Sequence, residues 1–299
     1  MLPGMAGEVR VAIVGAGNLG AALAGSLLRA GYVIEAVIAR ARGASLRKAQ
    51  SLAKQVRGGA LTDASVGLAA LRADVIWFCV PDAEIARAAN SLAEKLEWKG
   101  KIALHSGGVL SSDELGLLRR RGAYVASVHP LMTFVRGSRP SLVGVAFALE
   151  GDAPAVRVAR RMIEDVGGYS YSIRKNDKAA YHAWGTFASP LFTALLATAE
   201  QVAALAGVRR KEAKRRMLPI LQQTLANYAA LDAAGAFSGP IVRGDVDTVK
   251  RHLRVLRKMP IAREVYLSLA RAALAYLPGK NRRALRRELR SGLRKRRGE

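Results

Sequence analysis

The chain has 299 residues, 51% of them hydrophobic, which is enough to bury the core of one large domain or two ordinary ones and excludes a disordered chain. Lys and Arg outnumber Asp and Glu 48 to 23, a formal net charge of +25 that predisposes the surface to phosphates, nucleic acid or anionic lipid and says nothing about fold. The single cysteine, Cys79, excludes an internal disulfide, fits a reducing cytoplasm and lies in an apolar run, so it reads as a core residue.

Met1 to Glu8 lack the charged and apolar regions of a signal peptide. A β-branched strand, Val9 to Val14, then feeds into Gly15-Ala16-Gly17-Asn18-Leu19-Gly20 and an Ala/Leu-rich helix ending at Gly31. Strand, glycine turn, helix is the context of the dinucleotide fingerprint. Gly15 makes the tight turn, Gly17 lets the backbone approach a pyrophosphate, and Gly20 lets helix pack on strand. The helix start supplies N–H groups and a positive dipole end. Residues 32–39 form a second strand ending at Arg40, where an NAD site has Asp or Glu and an Arg accommodates a 2′-phosphate. Arg42, Arg47 and Lys48 follow. The expectation is NADP(H) at Gly15, Gly17, Asn18, Leu19, Gly20 and Arg40; the competing reading of Arg40 is a solvated strand end.

A helix over 44–56 and a short strand near 58–61 come next. Asp74 to Val80 is an apolar run, a strand buried on both faces, and Pro81 stops it at the carboxyl edge where open α/β sheets bind ligands. Val80 and Pro81 join the expected cofactor contacts. After a helix over 83–97, a strand over 101–105 leads into Ser106-Gly107-Gly108 and a helix capped by Ser111 or Ser112. A sixth strand over 124–128 ends in His129-Pro130, and two more, near 143–149 and 169–173, flank a helix over 154–166. The reading is an α/β fold: a doubly wound, mostly parallel sheet over residues 1–175. Residues 177–206, 209–234, 246–258 and 261–276 read as helices of an all-helical domain over 176–278, its first helix capped by Asp177. No apolar run is expected to reach the roughly 18 residues of a membrane span, so a cytoplasmic protein without a transmembrane segment is expected. Residues 279–299, with ten Lys or Arg against two Glu, read as a frayed basic tail. The competing reading is a basic helix with a thin line of Leu285, Leu289 and Leu293 on anionic membrane or RNA.

Hydride transfer asks the protein to hold the acceptor carbon roughly 3 to 3.5 Å from the nicotinamide and to manage one proton. His105 and His129 end strands at the ligand edge, and His182 lies on the first long helix; an imidazole suits proton transfer at neutral pH. His129 is the first choice, against a reading in which it only caps its strand. Lys178 and His182, at i and i+4, share a helical face. Ser106 and the N–H groups of Gly107 and Gly108 offer a carboxylate or carboxamide site, or simply a tight turn. Arg243 and Asp245 are either a substrate carboxylate clamp or an internal pair. No His, Cys and carboxylate cluster has metal-ligand spacing, so no metal is expected.

The Gly15–Gly20 turn, Arg40 and Val80-Pro81-Asp82 resemble the NADP-binding domain of the pyrroline-5-carboxylate reductases, hydroxyisobutyrate and 6-phosphogluconate dehydrogenases and deazaflavin-dependent NADP oxidoreductases. His129-Pro130-Leu131-Met132-Thr133-Phe134, Tyr181-His182-Ala183 and Gly239-Pro240-Ile241-Val242-Arg243-Gly244-Asp245 narrow it to the Rossmann-like proteins with a C-terminal domain of unknown function 2520, over about residues 8 to 277. The resemblance implies an NADP-linked oxidoreductase and, by analogy, a homodimer. In the hydroxyisobutyrate-type enzymes a lysine on the corresponding helix acts as acid and an asparagine one turn later anchors substrate. Lys178 matches the lysine; His182 stands where the asparagine would be.

The expected function is therefore hydride transfer between NADP(H) and a small carbonyl or imine compound, with His129, Lys178 and His182 as catalytic candidates and Gly107, Arg243 and Asp245 as substrate contacts. A non-catalytic NADP sensor is the alternative, because the Lys and Asn pair is not intact. A polyanion binder built on the basic tail is the third reading.

Overall fold

In the computed structural model, residues 9–40, 43–64, 72–138 and 140–294 are described. The readings of Met1 to Glu8, of Arg42 and of the Leu293 side chain lie outside them. The chain forms two compact units, Met1–Ala188 and Ser189–Glu299.

The first unit is built on one sheet in the order β3-β2-β1-β4-β5-β6-β7-β8. Its strands are β1 (Arg10–Val14), β2 (Val33–Ala39), β3 (Gly59–Thr62), β4 (Val75–Phe78), β5 (Ile102–His105), β6 (Tyr124–Pro130), β7 (Ala146–Gly151) and β8 (Tyr169–Ser172). Helices α1 (Asn18–Arg29), α2 (Ala44–Val56), α3 (Ile85–Ala93), α4 (Gly116–Arg120) and α5 (Ala153–Asp165) are the crossovers that parallel neighbours need. Between β6 and β7 no helix intervenes, and that pair alone is antiparallel. Successive residues of β1 enter different cores: Val11 and Ile13 join α1, α2 and α5, whereas Ala12 and Val14 join α3 and α4. That alternation places helices on both faces of the sheet. Cys79 is buried, as its surroundings predict.

The expected helix over 177–206 is two helices, α6 (Lys178–Ala188) and α7 (Pro190–Ala203), because Ser189 leaves helical geometry ahead of the proline. The compact units divide at that break rather than near residue 175, since Lys178 and Tyr181 of α6 are buried with the sheet. Asp177 does not cap α6; its carboxylate is paired with Arg174 at 2.7 Å. The expectation that no apolar run would reach about 18 residues is not met. Residues 179–199 contain no Lys, Arg, Asp or Glu, and the helical run Lys175–Ala206 is long and apolar enough to cross a membrane by length and composition.

The second unit continues with α8 (Arg210–Ala230), α9 (Ala233–Ala236), α10 (Pro240–Arg243), α11 (Val246–Val255), α12 (Pro260–Tyr276) and α13 (Arg282–Arg294). The expected frayed tail is instead α13, whose Leu285 and Leu289 are fully buried with Val249, Leu253, Leu267, Ala270 and Leu274. Arg282 ties its start to the end of α12 by donating to the Leu277 and Leu274 carbonyls. Leu285 and Leu289 are thus unavailable to a lipid surface. The Gly239–Asp245 run is a helical turn between two caps. Pro240 opens α10, Gly244 ends it at φ 73°, and Asp245 caps α11 by accepting from Thr248 N at 2.9 Å. A Cβ built on Gly244 would stand 2.7 Å from the Lys280 carbonyl carbon, so the following segment can dock there only on a glycine.

Candidate active site

The glycine turn lies at the carboxyl end of β1. Gly15 has φ +104° and a Cβ there would sit 2.6 Å from the Cys79 carbonyl oxygen; at Gly20 it would sit 2.1 Å from Gly15 O. Both positions are closed to any side chain by the protein itself. Gly17 differs: its φ is an ordinary −72°, and the nearest atom to a Cβ there is Cys79 O at 4.0 Å. Nothing in the chain requires glycine at that position, and the side it leaves bare opens outward, as the approach of a pyrophosphate demands. The first turn of α1 has no side-chain cap and no acidic residue. Asn18, within it, donates to Phe134 O at 3.1 Å, while Leu19 packs against the core. A cavity of about 360 Å³ adjoins the turn, lined by Gly15, Gly17, Arg40, Lys48, Val80 and Pro81 among others. The Arg40 side chain is largely exposed and lies 3.8 Å from Glu84. Glu84 is held below the usual carboxylate range, first by its hydrogen bond to Arg87.

Further along the same edge, β5 pairs His105 with Ser127 of β6, so the two side chains share one face, and His129 returns to it two residues on. His105 is fully buried and engaged at both nitrogens: Gly107 N–H donates to Nδ1 at 3.0 Å and Nε2 donates to Ser111 O at 2.9 Å. Burial pushes it down to about 4, so it is a neutral strut for the 106–111 turn. The expected Gly107 donor is thereby taken. Ser106 is engaged as well, its Oγ accepting from Trp77 Nε1 at 2.9 Å. Gly108 N–H, by contrast, has no partner among the described residues.

Lys178 is taken up by that turn. It is 1% exposed, and its Nζ donates to Ser127 Oγ at 2.6 Å and to Gly107 O at 3.2 Å, buttressing the turn from below. Desolvation lowers its affinity for a proton, partly offset by Glu150 and Asp82. His182, one turn later, reaches the next residue of the same turn. A Cβ on Gly108 would stand 2.3 Å from His182 Cδ2 and 3.0 Å from His129 Nε2, so the two imidazoles converge on a residue that must lack a side chain. Their centroids are 6.0 Å apart, edge to face. His129 is pushed down to about 4 by burial first, then by Lys178, His182 and His105, and is neutral at pH 7. Its Nδ1 is 2.9 Å from the Tyr181 hydroxyl.

Sequence reasoning left Tyr181 and Ser127 without roles, whereas the Gly108 N–H was read as an anion or carboxamide donor. The i, i+3 spacing of Lys178 and Tyr181 was the available signal for the first; nothing local signals Ser127. Arg243 and Asp245 are not a hydrogen-bonded clamp: Asp245 is a helix cap, and Arg243 is exposed with no ion pair among the described residues. Among the described residues no three His, Cys, Asp or Glu side chains cluster as metal ligands.

A doubly wound sheet of this order, with a bare glycine turn heading its first helix, defines a Rossmann-type protein. Residues 5–130 match the Rossmann-like domain family and residues 145–273 the domain of unknown function DUF2520, so the chain joins a Rossmann-like domain to that domain. No curated protein sequence matches it. Among solved structures it is similar to a Bacteroides fragilis protein proposed to be an NADP oxidoreductase, at 20% identity and TM-score 0.70 over 88% of this chain and 97% of that one. It is also similar to the reductive aminase of Aspergillus terreus in complex with NADPH, at 18% and 0.61 over 89% and 94%. A third is the Plasmodium falciparum pyrroline carboxylate reductase with NADP bound, at 13% and 0.58 over 97% and 98%.

Proposed function

We propose that this protein is an NADP(H)-dependent oxidoreductase that moves a hydride between the nicotinamide and a small carbonyl or imine compound. The observation that carries the reading is the convergence of His129 and His182 on Gly108 at the sheet edge that also bears the glycine turn. The NADPH and NADP held by the Aspergillus and Plasmodium structures support the choice of coenzyme. Gly15 to Gly20 would hold its pyrophosphate on backbone N–H groups, and Arg40 with Lys48 its 2′-phosphate. When bound, the nicotinamide supplies or takes the hydride. His129 exchanges the substrate proton at Nε2, and the free Gly108 N–H orients the substrate oxygen or nitrogen. Lys178 acts through the turn it supports and not on the substrate.

Calorimetric titration tests the coenzyme. NADPH binds more tightly than NADH, and Arg40→Ala removes about 2 kcal/mol of that difference, roughly 30-fold, the worth of charged hydrogen bonds to one phosphate. Equal affinity of the parent protein for the two nucleotides overturns the specificity. Binding without turnover across a panel of ketones, aldehydes and imines favours a sensor.

The second unit supports a homodimer. None of α7 is buried, and in α8 only Ala213 is, while Ile220, Leu225 and Tyr228 are exposed. Apolar helix faces of this extent are covered by a partner in stable proteins, and a second copy is the occupant available in pure solution. Light scattering then gives twice the chain mass of 31.9 kDa, and Leu225→Glu gives the monomer. A monomeric parent sinks this reading. Arg243 is proposed as a substrate anion contact, its loss raising KM for a carboxylate substrate with kcat little changed.

A further inference from the structure

The Tyr181 hydroxyl touches His129 twice: it lies 2.9 Å from Nδ1 and 3.2 Å from the carbonyl oxygen of the same residue. A phenol has one proton to give, and a carbonyl can only accept. Two full hydrogen bonds, as opposed to one proton shared between two acceptors, need Tyr181 O–H to donate to His129 O and His129 Nδ1–H to donate to the Tyr181 oxygen. We infer that Tyr181 locks His129 in the tautomer protonated at Nδ1, so that a bare Nε2 faces Gly108 as a proton acceptor. Tyr181 is held for this task. It is 7% exposed, and the rings of Tyr171, Trp184 and His129 pack edge-on around it. The Tyr171 hydroxyl is buried beside it without a hydrogen bond of good geometry, and burial first, then the neighbouring Tyr171, holds the Tyr181 phenol above its ordinary range. His105, in the same site, is fixed the opposite way, with Nε2 protonated and Nδ1 accepting.

The consequence for substrate rests on the oxidoreductase reading. A lone pair at Nε2 meets a group with a proton to give, which names an alcohol. As the substrate C–H hydride passes to the oxidised coenzyme, the hydroxyl proton passes to Nε2 and the carbon–oxygen bond becomes a carbonyl. A neutral hydroxyl brings no second positive charge near the buried Lys178, as an ammonium would. Tyr181 is a positioning residue here and His129 the catalytic one.

The test is long-range proton–nitrogen NMR of the whole chain labelled with ¹⁵N-histidine at pH 7. Only four histidines contribute, and His129→Gln assigns one of them. The expected spectrum has a pyrrole-like Nδ1 and a pyridine-like Nε2 at His129, with the reverse at His105. In Tyr181→Phe the His129 pattern collapses toward a mixture of tautomers while that of His105 stays as it was. A pyridine-like Nδ1 at His129 in the parent protein, or an unchanged pattern in Tyr181→Phe, overturns the inference. Should Tyr181→Phe not fold, the parent spectrum alone decides. Loss of NADPH binding with the tautomer intact would remove the coenzyme reading and leave this one standing.

Discussion

The two compact units solve the burial problem differently. In the first, every strand from β1 to β7 except the edge strand β3 has fully buried residues, and buried polar groups of the unit are matched: His105 by two backbone partners, Glu150 by Ser112 N–H and Oγ, Lys178 by Ser127 and Gly107. In the second, one small cluster on α11, α12 and α13 is the core, while α7 and most of α8 turn apolar side chains outward. Charge follows the same division. Residues 189–299 carry 24 Lys or Arg against 8 Asp or Glu. A sheet covered on both faces buries its apolar residues within its own unit, whereas a layer of helices with one thin core leaves much of its apolar surface uncovered there.

The contrast can be broken most severely inside the first unit. Gly20→Val drives a side chain into Gly15 O and is expected to destabilise that unit by about 4 kcal/mol or more, at the upper end for overpacking. Intrinsic fluorescence reads it cleanly, because Trp77, Trp98 and Trp184 all lie before residue 189. An unshifted denaturation midpoint would contradict the close approach of helix and strand. Next comes Leu285→Ala, which removes about 3 kcal/mol from the second unit alone. Helical circular dichroism should be lost at lower denaturant with the tryptophan transition in place; if neither moves, α13 is not part of that core.

Comparable in size is the pH response of the first unit. His105 is held near 4 in the folded state against 6.5 unfolded, so between those values the unfolded chain binds more protons and stability rises with pH. Above 6.5 the unit is at full strength, and acidification to pH 4 removes of order 3 kcal/mol through His105. His105→Gln should flatten that slope in fluorescence-detected unfolding; a parent protein equally stable at pH 4.5 and 7 would refute it. The smallest effect on stability belongs to Gly17→Ala, within about 0.5 kcal/mol since the position is open, yet NADPH affinity should fall tenfold or more. That split between folding and binding separates Gly17 from its two neighbours in the motif.

Much of the first unit is readable one residue at a time. The glycine turn and the apolar runs of β1, β4 and β5 announce themselves because backbone freedom and a strand buried on both faces are local properties. Helix α2 begins and ends where the pattern places it, and Ser111 caps the turn it was assigned, accepting from Asp113 N. The strand expected near 143–149 is β7, but its antiparallel direction was not read, although the absence of a helical pattern between residues 131 and 145 was the signal. The resemblance implies that Lys178 is a catalytic acid, and nothing local tells an ammonium at a helix start that it will lie beneath a turn 71 residues away.

By itself, then, the sequence determined a doubly wound sheet, a bare glycine turn, an arginine after β2 and a helical second half. These follow from periodicity and from side chains that are present or missing, and each is decided within one turn or strand. Only the tertiary structure decided that His105 and His129 take opposite tautomeric roles, that Tyr181 is the partner of one of them, and that the basic C-terminal helix packs on a leucine core. Each of those depends on groups 6 to 71 residues apart meeting in space, where one phenol proton or one buried methyl group chooses between alternatives that the local sequence leaves equal.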